Sequence, residues 1–154
     1  MNNYIIYSII MIVSGIGIPV MAALNGGLGV KLESPTLAAT ILFFVGFVCA
    51  IVYLLVTEGM PGPVYQPDTP IYYYFGGFFV LFYILTITWI APRFGISNAI
   101  AFVLLGQLIA MSLIDHFGLM GAQIFRIDIQ RLTGLVCMVF GVFLVLNKGA
   151  PGTN

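Results

Sequence analysis

The sequence predicts an all-α integral membrane protein of five transmembrane helices, and three observations carry that prediction. Of 154 residues, 61% are hydrophobic and only 6% charged, where a soluble domain carries about 25% charged residues. Mean hydropathy is +1.13. Five apolar stretches approach the roughly 20 residues a helix needs to cross the hydrocarbon core, and the segments between them gather proline, glycine and the charges. Residues 1–154 therefore read as a single transmembrane domain.

The first span runs from Tyr4 to Leu24. It lacks the basic region of a signal peptide, and its apolar run is long enough to span, so it is expected to be retained. "NGGLGVKLESP" carries glycines and both signs of charge, and places Ser34 and Pro35 at the N-cap and first turn of the next helix. The second span covers Pro35 to Val56. "EGMPGPVYQPDTP" cannot continue a helix and forms a loop. The third span covers Ile71 to Ala91. In "APRFGIS", Pro92 and Gly95 break that helix, and Ser97 or Asn98 caps the next. The fourth span covers Asn98 to Ile114. "DHFGLMGAQIFRIDIQR" mixes apolar residues with Arg126, Asp128 and Arg131 and is expected to lie along the membrane interface. The fifth span covers Leu132 to Leu146; it and the fourth are slightly short. Tyr4, Tyr7, Tyr53, Tyr72, Tyr73, Tyr74 and Trp89 fall near span ends, where amphipathic rings favour the headgroup level.

Formal net charge is zero, so no basic face for nucleic acid is available. Cys49 and Cys137 sit inside apolar runs, in neither metal-type nor disulfide-type spacing. The single His, His116, cannot build a zinc site without further ligands nearby, and no metal or cofactor is expected. HExxH, GxSxG and Walker motifs are absent, which argues against an enzyme. Asp115 and His116 are adjacent, and adjacent helical residues point about 100° apart. They converge only if the helix ends there. The alternative is that Asp115 anchors the helix end, with Arg93, Arg126 or Arg131 as its partner.

Charge also bears on topology. With five spans, the Lys31 loop, the Arg93 loop and the Lys148 tail share one side, and Arg126 and Arg131 take the other. That balance is nearly even under the positive-inside rule. Two readings stand: insertion in both orientations, giving an antiparallel homodimer of the kind that inverted repeats make in transporters, or an orientation fixed by other features. Gly134 and Gly141, and Ser14, Gly15 and Gly17, leave helix faces on which a partner helix could press.

Polar residues inside spans point to packed interfaces or hydrated cavities. At helical spacing they form ladders: Ser14, Ile18, Met21 and Asn25 in span one; Phe82, Thr86, Trp89 and Arg93 in span three; Gln107, Met111 and Asp115 in span four. A cavity of amides, hydroxyls and aromatic faces suits a neutral or weakly charged small molecule, although aromatic faces also hold cations. Gln107 or Asn25 could instead hydrogen-bond between helices, and Thr86 to its own backbone. Spans one to three contain no acidic residue. Only Asp115, at a helix end, could carry a proton.

"ALNGGLGVKLESPTLAATILFFVGF", "APRFGISNAIAFVLLGQLIAMSLIDHFGLMG" and "RLTGLVCMVFGVFLVL" resemble the DUF606 or YdcZ-like family of the drug/metabolite transporter superfamily, over nearly the whole chain. The resemblance implies a bacterial inner-membrane protein similar to the small multidrug resistance proteins, a four-helix unit plus one helix. It also implies an antiparallel, dual-topology homodimer. The family pattern falls on Asn25, Pro92, Arg93, Gly95, Gly106, Gln107, Ser112, Asp115, His116 and Gly118. Where members often carry Gln, this chain has Met21, and the first-span glutamate of the small multidrug resistance proteins is missing. Together these readings lead to an expected secondary transporter or exporter of a small metabolite, working by alternating access, with neutral polar, sugar-like substrates favoured over organic cations. Asn25, Trp89, Gln107, Thr86, Ser14 and Met21 are the expected substrate contacts, and Asp115, His116 and Arg93 the expected gate or proton-coupling groups. The expected partners are the lipid bilayer, a second copy and a small molecule. The alternative is a non-transporting accessory or scaffolding subunit.

Overall fold

The computed structural model describes residues 2–63 and 65–146; Lys148, counted above for topology, lies outside them. Among the described residues there is no strand. The helices are α1 (Asn2–Lys31), α2 (Pro35–Thr57), α3 (Gly76–Phe94), entered through a 3-10 turn at Ile71–Phe75, α4 (Ile96–Phe117) and α5 (Ile129–Val145). The first four are long and apolar enough to cross a membrane, α3 together with its 3-10 turn. The fifth has 17 residues, about 25 Å at the helical rise, against a core of about 30 Å.

Three boundaries depart from the sequence expectation. Helix α1 does not end at Leu24 but runs through all three glycines of "NGGLG" to Lys31, because Gly26 and Gly29 are where other segments approach it closely. A Cβ on Gly29 would stand 3.1 Å from Thr88 Cγ2 and 3.3 Å from Pro35 Cα; on Gly26 it would stand 3.4 Å from Pro92 Cγ. Pro92 does not break α3, which continues to Phe94. So near a helix end, proline forgoes only one intrahelical bond. Helix α4 starts at Ile96 on Gly95, whose φ of 91° turns the chain, and neither Ser97 nor Asn98 is its cap. Instead Asn98 Nδ2 donates to the Phe94 carbonyl at 3.0 Å. Ser34 and Pro35 do occupy the N-cap and first turn of α2, the Ser34 hydroxyl accepting from the Leu37 amide at 3.2 Å.

The chain divides into two compact units, Met1–Arg93 and Phe94–Asn154. In the first, the buried positions are Ala22, Asn25, Gly26, Gly29, Ala38, Ala39, Ile84, Ile87, Thr88 and Ala91. Most are small, while most leucines, phenylalanines and isoleucines other than Ile84 and Ile87 are exposed or half-buried. This inverts a soluble core: lipid tails are as apolar as leucine, so tight helix contact comes from small residues that let backbones approach. In the second unit Ala99, Ala101, Ser112 and Val142 are buried, and α4 packs on α5.

Candidate functional site

In the first unit, α1 and α3 meet near their C-terminal ends. Asn25 Nδ2 donates to Thr88 Oγ1 at 2.5 Å, with both residues buried. The helices come this close because Gly26 and Gly29 face Pro92 and Thr88. The same contacts bring the turn after Lys31 and Arg93 to one end of the unit, the end to which the sequence assigned both. A cleft of about 360 Å³ opens there, lined by Gly29, Val30, Glu33, Pro35, Thr88, Pro92 and Arg93. Arg93 donates to the Trp89 carbonyl at 2.5 Å, and its guanidinium carbon lies 5.0 Å from the centre of the Trp89 ring. That position neutralises part of the α3 C-terminal dipole and adds a cation–π contact.

The expected contacts divide. Asn25 is buried in the helix crossing and Met21, one turn earlier, is half-buried; Ser14 is exposed and donates to the Ile10 carbonyl at 2.9 Å. Thr86 is half-buried and Trp89 exposed. The buried face of α3 is instead Ile84, Ile87, Thr88 and Ala91. Sequence reasoning chose Thr86 and missed Thr88 and Glu33. The available signal was the i, i+3, i+4, i+7 set ending in Thr88 and Ala91, whose later members are small enough for close packing.

In the second unit Gln107 is exposed on α4, and Met111 lines an α4/α5 groove of about 450 Å³ that also holds Leu108, Ser112, Gly134, Leu135 and Met138. Its mouth carries Asp128, Gln130 and Arg131. Neither this groove nor the first-unit cleft is lined by an aromatic ring.

Asp115 and His116 sit where α4 ends, on Gly118 in the left-handed conformation with φ 61°. Of the three candidate partners for Asp115, Arg131 is the one that pairs with it. Within the segment expected along the interface, residues 115–131, the stretch 122–128 is not helical and folds back over that end. Phe125 N–H donates to the Asp115 carbonyl at 2.9 Å, Ile127 N–H donates to His116 Nδ1 at 3.1 Å, and Arg131 Nη1 donates to the Phe125 carbonyl at 3.2 Å. Asp128 then caps α5, accepting from the Arg131 amide at 2.7 Å. Asp115 and His116 thus converge on a turn rather than on an open site. No cluster of three or more His, Cys, Asp or Glu that could hold a metal occurs among the described residues.

A protein-family model described as "Putative inner membrane exporter, YdcZ" matches residues 6–144. No curated protein and no solved structure matches the chain.

Proposed function

The chain belongs to the YdcZ family of inner-membrane exporters, and from that premise we propose that it exports a small, net-neutral polar metabolite by alternating access in an antiparallel homodimer. It is a multi-pass inner-membrane protein. The observation that carries the substrate class is the first-unit cleft, whose lining brings one carboxylate residue, Glu33, and one guanidinium residue, Arg93, together with Thr88. That lining balances in charge and offers both donors and acceptors. Its volume of about 360 Å³ falls within the range of small-molecule pockets, roughly 300–1,000 Å³. A permanent cation would gain Glu33 but meet Arg93, and juxtaposed like charges are costly.

In this reading Asn25 holds the Thr88 hydroxyl in place, and Trp89 holds Arg93 at the rim. Thr86, Ser14 and Met21 in the first unit, and Gln107 in the second, serve as further substrate contacts. Arg93 in the first unit, and Asp115 and His116 in the second, serve as gate or proton-coupling groups. The homodimer is supported by the near-even charge balance and by the bare faces of Gly134 and Gly141, where an added Cβ would meet nothing within 4 Å. Here α5 serves as a fifth span of one transmembrane domain.

The test is a thermal-shift screen of the purified full chain against monosaccharides, zwitterionic amino acids and quaternary amines, followed by proteoliposome transport of any hit. A ligand that binds only the folded state raises apparent stability. A net-neutral hit whose transport falls in Glu33→Gln and Arg93→Gln is the expected result. A screen answered only by quaternary amines overturns the substrate class. Cysteines placed in the Glu58 and Arg93 loops are expected to label from both sides of the membrane. Labelling of each loop from one side only overturns dual topology, and with no transported hit it favours the accessory-subunit alternative.

A further inference from the structure

The turn between α4 and α5 is held down by few bonds, and they differ in what can undo them. Residues 118–128 leave α4 through Gly118, where an added Cβ would lie 2.7 Å from Ile124 Cγ1, so the returning chain presses directly on the helix end. Met120 is also held in the left-handed region, with φ 56°, a conformation non-glycine residues rarely adopt. A segment bent in this way stays bent only while its surroundings hold it. The holding bonds are Phe125 N–H to the Asp115 carbonyl, Ile127 N–H to His116 Nδ1, and Arg131 to both the Phe125 carbonyl and the Asp115 carboxylate.

One of these depends on an imidazole accepting a hydrogen bond. His116 Nδ1 can accept from Ile127 N–H only when that nitrogen carries no proton, whereas an imidazolium presents N–H donors at both nitrogens. Two donors would then face each other. The charged groups around His116 are Asp115 beside it on α4, Arg131 on α5, and Arg126 and Asp128 flanking Ile127 on the returning segment. Asp115 is already committed to Arg131, and Asp128 to the α5 amide. Of the side-chain types in this cluster, only imidazole ordinarily changes charge between pH 5 and 8.

We infer that residues 118–128 form a strap latched onto α4 by neutral His116, and that protonating His116 releases it, making the α4–α5 turn a proton-sensing element of the exporter. The sign follows from the bond: the latch needs an unprotonated Nδ1 to accept from Ile127 N–H, so it holds with the neutral ring and is lost on protonation. Asp115 and Arg131 keep α5 tethered meanwhile, so the strap loosens without the two helices parting. Asp115, held by Arg131, acts as the hinge pin, and the proton is taken up by its neighbour.

Hydrogen–deuterium exchange of the full chain in nanodiscs, followed on peptides covering 118–128 between pH 8 and 5.5 and corrected for the intrinsic pH dependence of exchange, tests this without reference to any substrate. Protection in the wild type is expected to fall roughly three- to tenfold on acidification, the range set by one hydrogen bond of ordinary strength. His116→Asn, whose side-chain oxygen accepts but does not titrate, is expected to keep the protection at both pH values. His116→Ala is expected to lack it at both. Protection that does not change with pH in the wild type overturns the proposal. So does a fall that persists in His116→Asn, or one that disappears in Asp128→Asn, which keeps a capping oxygen while removing that carboxylate.

Discussion

Asn25 and Thr88 join α1 to α3 through one side-chain hydrogen bond of 2.5 Å, and neither residue is more than 4% exposed. Removing the hydroxyl while keeping the shape, as in Thr88→Val, strands the Asn25 amide. Thr88→Val is expected to lower unfolding stability by about 1 kcal/mol, since interhelical hydrogen bonds in membranes are worth about 0.6–1.7 kcal/mol. Thr88→Ser should recover most of it. Denaturant titration of the reconstituted chain, read by tryptophan fluorescence from Trp89, measures both.

Gly29 and Gly27 lie two residues apart on α1 and should respond oppositely to alanine. At Gly29 the new methyl meets Pro35 Cα at 3.3 Å, a backbone atom that cannot rotate away, and Thr88 Cγ2 at 3.1 Å. Gly29→Ala is expected to cost about 1–3 kcal/mol by overpacking. At Gly27 nothing lies within 4 Å, so Gly27→Ala should be neutral or stabilise by up to about 1 kcal/mol through helix propensity. Paired thermal melts separate the two.

The Asp115–Arg131 pair is partly screened, with side chains 23% and 30% exposed respectively. Its net worth should lie near that of a surface pair, about 1 kcal/mol or less. A double-mutant cycle with Asp115→Asn and Arg131→Gln is expected to return a coupling of that size. A coupling several times larger would mean the turn is far more shielded in the membrane than in the isolated chain.

Gln107 stands exposed on α4, so Gln107→Ala should leave stability within about 0.5 kcal/mol of wild type. If Gln107 contacts substrate, the same variant should lower proteoliposome transport, with thermal stability as the control. Unchanged transport would remove it from the substrate path.

How much was legible beforehand differs between element and face. The four long helices, the Ser34–Pro35 start of α2 and the break at Gly95 follow from local chemistry: apolar length, a capping hydroxyl, and a glycine that accepts positive φ; the fourth span was expected to end at Ile114, and α4 runs one turn further to Phe117. The extension of α1 to Lys31 was not legible. "NGGLG" reads as a loop in isolation and becomes helix because two of its glycines are where α3 and the α2 start pack. Arg131 was one of three partners the sequence allowed for Asp115. Only the fold-back of residues 122–128 singled it out.

By itself the sequence determined that this chain lives in a bilayer, roughly where its helices begin and end, and which family pattern it carries. Those features depend on the cost of leaving backbone or charge in hydrocarbon, which each segment meets alone. The tertiary structure decided which face of each helix is buried. Thr88 rather than Thr86 faces Asn25, and His116 receives an amide eleven residues further along the chain. The physical reason is that lipid and helix interior are equally apolar. Hydrophobic periodicity, which marks the buried face of a soluble helix, therefore carries little information here, and close packing of small side chains makes the choice.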